Sequence, residues 1–385
     1  EVRNTQQMLT PVSISKGLGD VLVAPRFDDE INDAVERFTP GTREWVFEQF
    51  DDWFAHDNTS RVLVLSGEAG IGKTGIVSQL VCSNRDTIVA HHFCRHDSSR
   101  KREPKRVLCS IAYQLAERNP DYRAKLEAMG LTAEAVGQLN VTGLFEQIFQ
   151  EPFTNLTPRD RQVVLIDALD ECDVHGKNDL LRCIRDHFHK LPEWLSFFMT
   201  TRPEIDILKH LKRFKPKKLE PDDAKHQADV RLSIQSALEG RLPDEASLEQ
   251  GIEILAEKSA FKYIYVQYAV EKLHGRDAVT LEELSLFPDG IEAFYTTQLE
   301  RLKEGVLVPW EQVWNIIQAI AVACEPLHVD WLGRIAPELS REGLRTAIKS
   351  MENMFPVRGE RIRVFHKSIQ DWLVQETRAD EDFYV

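Results

Sequence analysis

The stretch RVLVLSGEAGIGKTGIVSQLV, Arg61 to Val81, limits what this chain can fold into more than any other part of it. It opens with Val62 to Leu65, apolar without alternation, as a strand buried on both faces must be. It closes with Ile76, Val77, Leu80 and Val81 on one face of a helix. Between them Gly67 to Thr74 reads GEAGIGKT and fits GxxxxGK[ST] in full, in the strand–loop–helix setting that gives the motif meaning. Gly67 and Gly72 permit backbone conformations that a Cβ forbids, so successive N–H groups can turn inward around a phosphate. The helix N-terminus adds positive potential. Lys73 is expected to reach β- and γ-phosphates, and Thr74 to offer its hydroxyl to Mg²⁺.

Three further strand-length apolar runs follow, at 86–94, 161–167 and 195–203, separated by helical patterns. That alternation predicts an α/β fold, a P-loop NTPase with a parallel central sheet. The 385 residues suffice for two or three domains. Residues 1–37 mix Gly, Pro and Ser with short apolar pieces and read as a linker or arm. Residues 38–220 read as the nucleotide-binding domain, led in by a helix within FTPGTREWVFEQFDDWFAHD. After Pro221 the strand runs stop, and 221–290 reads as a small helical domain whose run FKYIYVQY has helical, core-like spacing. In 291–385, Val313, Ile316, Ile317 and Ile320 mark one helix face, and Leu344, Ile348 and Met351 another. A strand, a turn at Arg358-Gly359, a second strand and a last short helix complete the outline of a winged helix.

A phosphate loop needs a metal ligand from a neighbouring strand. Asp167 ends the run RQVVLID, at the sheet edge where ligands sit. Asp170 and Glu171 follow, and a carboxylate there can polarise an attacking water; the alternative is a pair that caps the next helix. Arg202 ends LSFFMTTR, where it would sense a γ-phosphate or form a surface salt bridge.

Composition trims the possibilities. The net charge of −14 argues against a general binder of nucleic acid or anionic membranes. There is no apolar run of the ~18 residues a membrane span needs, nor a signal-peptide pattern. The chain begins at Glu1, as a fragment of a longer protein would. Six cysteines without CxxC spacing read as reduced thiols of a cytoplasmic protein. His91, His92, Cys94 and His96 are zinc-binding residue types, but on a strand they alternate faces, so a core strand is the expectation. The basic islands 100–106 and 209–218 read as solvated surface or, alternatively, as subunit contacts.

Taken together, GEAGIGKT, the strand ending in DALDE, the TTRP strand and the terminal VFHKSIQDWL resemble the NACHT family of STAND signalling ATPases, which have an AAA+-like core. GTREW (Gly41–Trp45) and FPDGIEAFYTTQLERL (Phe287–Leu302) are similar to segments of that family as well. The resemblance implies phosphate binding by the loop, whose residues are Gly67, Glu68, Ala69, Gly70, Ile71, Gly72, Lys73, Thr74 and Gly75, and Mg²⁺ binding by Thr74 and Asp167. It implies Asp170 or Glu171 as the catalytic acid and Arg202 as the sensor. It also implies that His366 contacts the β-phosphate of ADP in a closed state. The Gly or Pro that this family often places against adenine is missing from KSAFKYIYVQYAV, so the base contact would fall to Phe261 or to the leading helix near Arg43 and Val46. The function implied is a slow ATPase switch with ATP or ADP and Mg²⁺, self-associating in the ATP state, its effector and repeat domains lying outside this chain. A constitutive AAA+-type remodeller and a scaffold with structural nucleotide are the alternatives; a nucleic-acid motor is disfavoured by charge.

Overall fold

The computed structural model describes residues 16–56, 60–157, 159–172 and 178–385. Five parallel strands form the central sheet: β1 (Val62–Gly67), β2 (Ile88–Phe93), β3 (Gln162–Asp167), β4 (Leu195–Thr201) and β5 (Lys217–Leu219), in the order β2-β3-β4-β1-β5. Every residue of β4 is buried, as befits a strand covered on both faces. The register sets Ser66 beside Thr201 and Phe93 beside Asp167, so the C-terminal ends of β1 to β4 open on one edge. Apolar runs in the sequence mark the first four strands but not β5. KKL is a short edge strand whose two lysines stay exposed, which blunts pairing with other chains. Island 209–218 is therefore sheet edge in part.

The part of 1–37 that the structure describes is no open arm. Helices α1 (Lys16–Val21) and α2 (Asp28–Glu36) and the segment between them are buried through Leu18, Leu22, Phe27 and Ile31, with α2 against the helix Lys73–Ser83. The ring of Phe27 sits edge-on to His92, with centroids 5.1 Å apart. Residues 1–15 of the expected linker lie outside the described residues. Helix α3 (Glu44–His56) then leads into β1, and α4 (Lys73–Ser83) leaves the loop.

Beyond the sheet, helices Ala224–Leu238, Glu245–Ser259 and Tyr263–Leu273 share a core around Val230, Leu255 and Ala269. KSAFKYIYVQYAV does not run through as one helix. Ala260 and Phe261 both take positive φ, 47° and 56°, and break it, so the side chains after the break are redirected. Helices Trp310–Val322, Val329–Ile335 and Arg341–Met351 surround a further core with a three-stranded antiparallel sheet of β6 (Leu327–His328), β7 (Val357–Arg358) and β8 (Arg361–Ile362), in the order β6-β8-β7. The hairpin turns on Gly359 and Glu360, one residue later than the sequence suggests. The last α-helix, Lys367–Leu373, buries Ile369, Trp372 and Leu373 in this C-terminal core. No helix among the described residues is long and apolar enough to cross a membrane.

Candidate functional site

A cavity of about 310 Å³ opens at the C-terminal edge of the sheet and is walled by the loop, by α2, by the helix Tyr263–Leu273 and by the C-terminal hairpin and helix. Gly70 and Gly72 take φ of +75° and +96°, where other residues are strained. A Cβ on Gly70 would collide with Ile264. Ala69, Gly70, Gly72, Lys73, Thr74 and Gly75 line the cavity. Lys73 Nζ donates to the carbonyls of Gly67 at 2.6 Å and Glu68 at 2.9 Å, folded back over the loop. Burial lowers its pKa, opposed by Asp170 and Asp167. Ile71 points the other way, into the core, and the Glu68 carboxylate pairs with Lys262 at 3.2 Å.

Asp167 is buried at the end of β3 and accepts from Thr74 Oγ1 at 2.8 Å and Thr200 Oγ1 at 2.5 Å. Burial pushes its carboxyl up, and the two hydroxyls and Lys73 pull it down. A hydroxyl and a carboxylate side by side are hard oxygen donors and suit Mg²⁺. Ala168 then turns through φ 56°, carrying Asp170 and Glu171 into a tight turn. Neither caps the following helix, whose N-cap is Asn178. They have different partners. Asp170 accepts from the Arg202 backbone N–H at 2.9 Å and lies 3.1 Å from Arg202 Nε. Glu171 Oε2 accepts from the His96 N–H at 3.0 Å and its Nδ1 at 3.1 Å. Burial alone would raise the Glu171 pKa; His96 outweighs it and holds the carboxyl below the usual range.

By residue type His96 belongs with the zinc-binding set of His91, His92 and Cys94. Its partner lies 75 positions away, beyond any local pattern. No group of three or more His, Cys, Asp or Glu able to hold a metal occurs among the described residues. His91 and His92 serve the core, and burial holds both near pKa 4.

The C-terminal unit supplies the opposite wall. Asp371, in the last α-helix, lies 2.5 Å from Arg202 Nη1, so that guanidinium bridges Asp170 and Asp371. His366 caps the same helix, its Nδ1 accepting the Ser368 N–H at 3.1 Å. Ser368 Oγ is 2.6 Å from that Nδ1 and 2.6 Å from the Tyr295 hydroxyl. With Nδ1 an acceptor, the neutral ring carries its proton on Nε2. Burial lowers the His366 pKa to about 4, against the pull of Glu171, so the ring is uncharged at neutral pH. His366 lines the same cavity as Lys73 and Glu171.

The two residues expected at the base are placed differently. Phe261 does not line the cavity: the helix break turns its ring onto Arg231, whose Cζ is 5.0 Å from the centroid. Arg43 borders the cavity, but its guanidinium is committed to protein partners, the Ile71 carbonyl and His226. Val46 is core. Phe38, Thr39, Tyr263 and Ile264 line the cavity. The helical reading of FKYIYVQY hid this, since a positive φ at Ala260 leaves no trace in side-chain spacing.

Island 100–106 is more engaged than solvated surface would be. Lys101 pairs with Glu30, and Lys105 Nζ donates to the carbonyls of Gly137 at 2.8 Å and Leu139 at 2.9 Å.

Residues 41–202 match the model of the family described as Nephrocystin 3, N-terminal, from the GTREW stretch to the end of the β4 region. No curated protein matches the chain. Among solved structures, it is similar to the ORC2 protein of Aeropyrum pernix in ADPNP–ADP complexes, at 11% identity and TM-score 0.42, covering 86% of this chain and 92% of that one. A Walker-type ATPase of Pyrococcus abyssi is similar at 13% identity and TM-score 0.41, over 86% and 95% of the two chains. Cdc6p of Pyrobaculum aerophilum follows at 12% identity and TM-score 0.37, over 94% and 95%. The parallel sheet, the glycine loop between β1 and α4 and the acidic end of β3 give this chain the fold of a P-loop NTPase.

Proposed function

We propose that the chain is a nucleotide-gated switch of the NACHT and STAND kind, which binds ADP or ATP with Mg²⁺ and hydrolyses ATP slowly. One observation carries the reading: the C-terminal unit closes over the phosphate cavity, with His366 in its wall and Asp371 holding Arg202 at 2.5 Å. In this reading 38–220 is the nucleotide-binding domain, 221–290 a helical domain and 291–385 a winged helix. The loop amides and Lys73 hold the phosphates, and Thr74 and Asp167 hold Mg²⁺, which neutralises phosphate charge when bound. The base lies towards Phe38, Thr39, Tyr263 and Ile264. Glu171, fixed by His96, takes the proton of the attacking water, and Asp170 positions Arg202. A γ-phosphate competes with Asp371 for Arg202, and that competition loosens the cap. An uncapped chain then self-associates and signals through domains outside this one.

The test is His366→Ala, with ADP and ATP dissociation constants beside light scattering of parent and variant. A charge-assisted hydrogen bond of about 1.5–3 kcal/mol corresponds to roughly a ten- to hundredfold change. The variant should therefore weaken ADP more than ATP by that order and raise the self-associated fraction. Equal effects on both nucleotides, with assembly unchanged, would reduce His366 to a helix cap and end the switch reading.

A further inference from the structure

Arg43 heads the fully buried side chains by size, only 1% exposed, and takes a left-handed φ of 64°. A large, charged residue tolerates both conditions only where its surroundings fix it. Its Nη2 donates to the Ile71 carbonyl at 2.7 Å and its Nη1 to His226 Nδ1 at 2.7 Å. Asp229 Oδ2 lies 3.8 Å from Nη1, and Cζ is 4.6 Å from the Tyr263 ring centroid. His226 Nε2 donates in turn to the Phe261 carbonyl at 2.6 Å, which leaves Nδ1 as the acceptor Arg43 requires. Of these direct partners, only Ile71 belongs to the loop. The others come from residues 224–263, whose chain also reaches the loop where the Ile264 N–H donates to the Gly70 carbonyl at 3.0 Å.

The Ile71–Gly72 peptide is trans, so its C=O and N–H point in opposite directions. Whatever grips the carbonyl aims the amide. Ile71 packs into the core on the loop's far side, whereas Gly72 lines the cavity and precedes Lys73. We infer that Arg43 is a positioning residue for the phosphate site: it holds the Ile71 carbonyl so that the Gly72 N–H faces the bound phosphate, and it ties that peptide to the helical unit 224–273. The inference rests on the loop's reading as a phosphate site. It makes the helical unit a part of the loop's geometry as well as a wall of the cavity, since moving His226 or Tyr263 moves the guanidinium and the peptide it grips.

The experiment uses the whole chain and ADP as probe, with Arg43→Lys, Arg43→Gln and His226→Ala. Titration calorimetry gives affinity, melting without nucleotide gives stability, and hydrogen exchange follows the loop peptide. A lysine keeps the charge but lacks the planar guanidinium fork that sets Nη2 on the Ile71 carbonyl and Nη1 on His226. Arg43→Lys and Arg43→Gln should weaken ADP roughly ten- to hundredfold and speed exchange at the loop amides. His226→Ala should do both to a smaller degree. If the glutamine variant fails to fold, the lysine and His226 variants decide. Folded variants that bind ADP within about twofold of the parent, whatever their melting temperature, overturn the inference and make Arg43 a core clamp only. A parent that does not bind ADP overturns the phosphate reading itself, and this inference with it.

Discussion

The two walls of the cavity are built on different physics. The sheet-side wall is tied within its own unit: Thr74 and Thr200 bond Asp167, His96 bonds Glu171, and Lys73 bonds loop carbonyls. Its apolar support is the buried ends of β1, β3 and β4. The C-terminal wall has its own core around Ile316, Ile317 and Phe355, and polar bridges join it to the first wall. Arg202–Asp371 at 2.5 Å, Arg358–Asp33 at 2.6 Å and the Ser99 N–H to Glu325 at 2.8 Å are among them. Half-exposed ion pairs are worth little each and exchange readily with other ions. A wall that carries the loop on its own sheet stays, and a wall joined to it by exchangeable pairs can leave; that contrast is what the proposed switch needs.

The contrast can be broken at either wall. The largest effect belongs to Glu171→Gln, which keeps shape but removes the carboxylate proposed as the base. Hydrolysis should fall by about 10²–10⁴-fold, as expected for loss of general-base catalysis, with ADP affinity and compactness unchanged in calorimetry and small-angle scattering. A variant that still turns over at the parent rate would shift the base to Asp170. Next, Lys73→Ala should weaken ADP by roughly a hundredfold, the upper end for a lost charged hydrogen bond. Affinity kept within a few-fold would sink the phosphate-loop assignment.

Acid comes third. His91, His92, His226 and His366 all have pKa values lowered to about 4 by burial. Each is neutral when folded but protonates near 6.5 when unfolded, so stability is full above pH ~6.5 and falls as pH drops towards ~4. The slope is up to about 1.4 kcal/mol per pH unit for each group. Melting temperature should be flat from pH 8 to 7 and fall between pH 6 and 4.5; a flat profile there would mean these rings are not kept neutral. The smallest effect is Asp371→Asn. The pair it breaks is partly solvated, with Asp371 42% exposed, so the open population should rise only about two- to fivefold. Small-angle scattering or limited proteolysis between the units reads that, with ADP affinity near the parent's. A change at the loop instead would mean the walls are not separable.

Local chemistry made much of this legible in advance. Doubly buried strands need continuous apolar residues, so β1 to β4 were visible, and GEAGIGKT, Asp167 and the acidic pair after it were visible by residue type and spacing. β5 was not, because Lys217 and Lys218 are chosen for an exposed edge and carry no apolar signal. The helices at 16–36 were obscured by Gly, Pro and Ser, since their burial against the rest of the fold supplies what their own pattern lacks.

The sequence by itself determined that a strand turns through a phosphate-type loop into a helix, that a carboxylate ends a neighbouring strand, and that a C-terminal unit follows with its own apolar core. Those properties rest on residues a few positions apart, where spacing is geometry. The tertiary structure alone decided who partners whom: His96 with Glu171, Arg202 between Asp170 and Asp371, and Arg43 beneath the loop with His226 while Phe261 faces away. These pairings join residues 28 to 183 positions apart and depend on backbone turns such as Ala168 and Ala260 at positive φ, and neither distance nor dihedral is written in the periodicity of side chains.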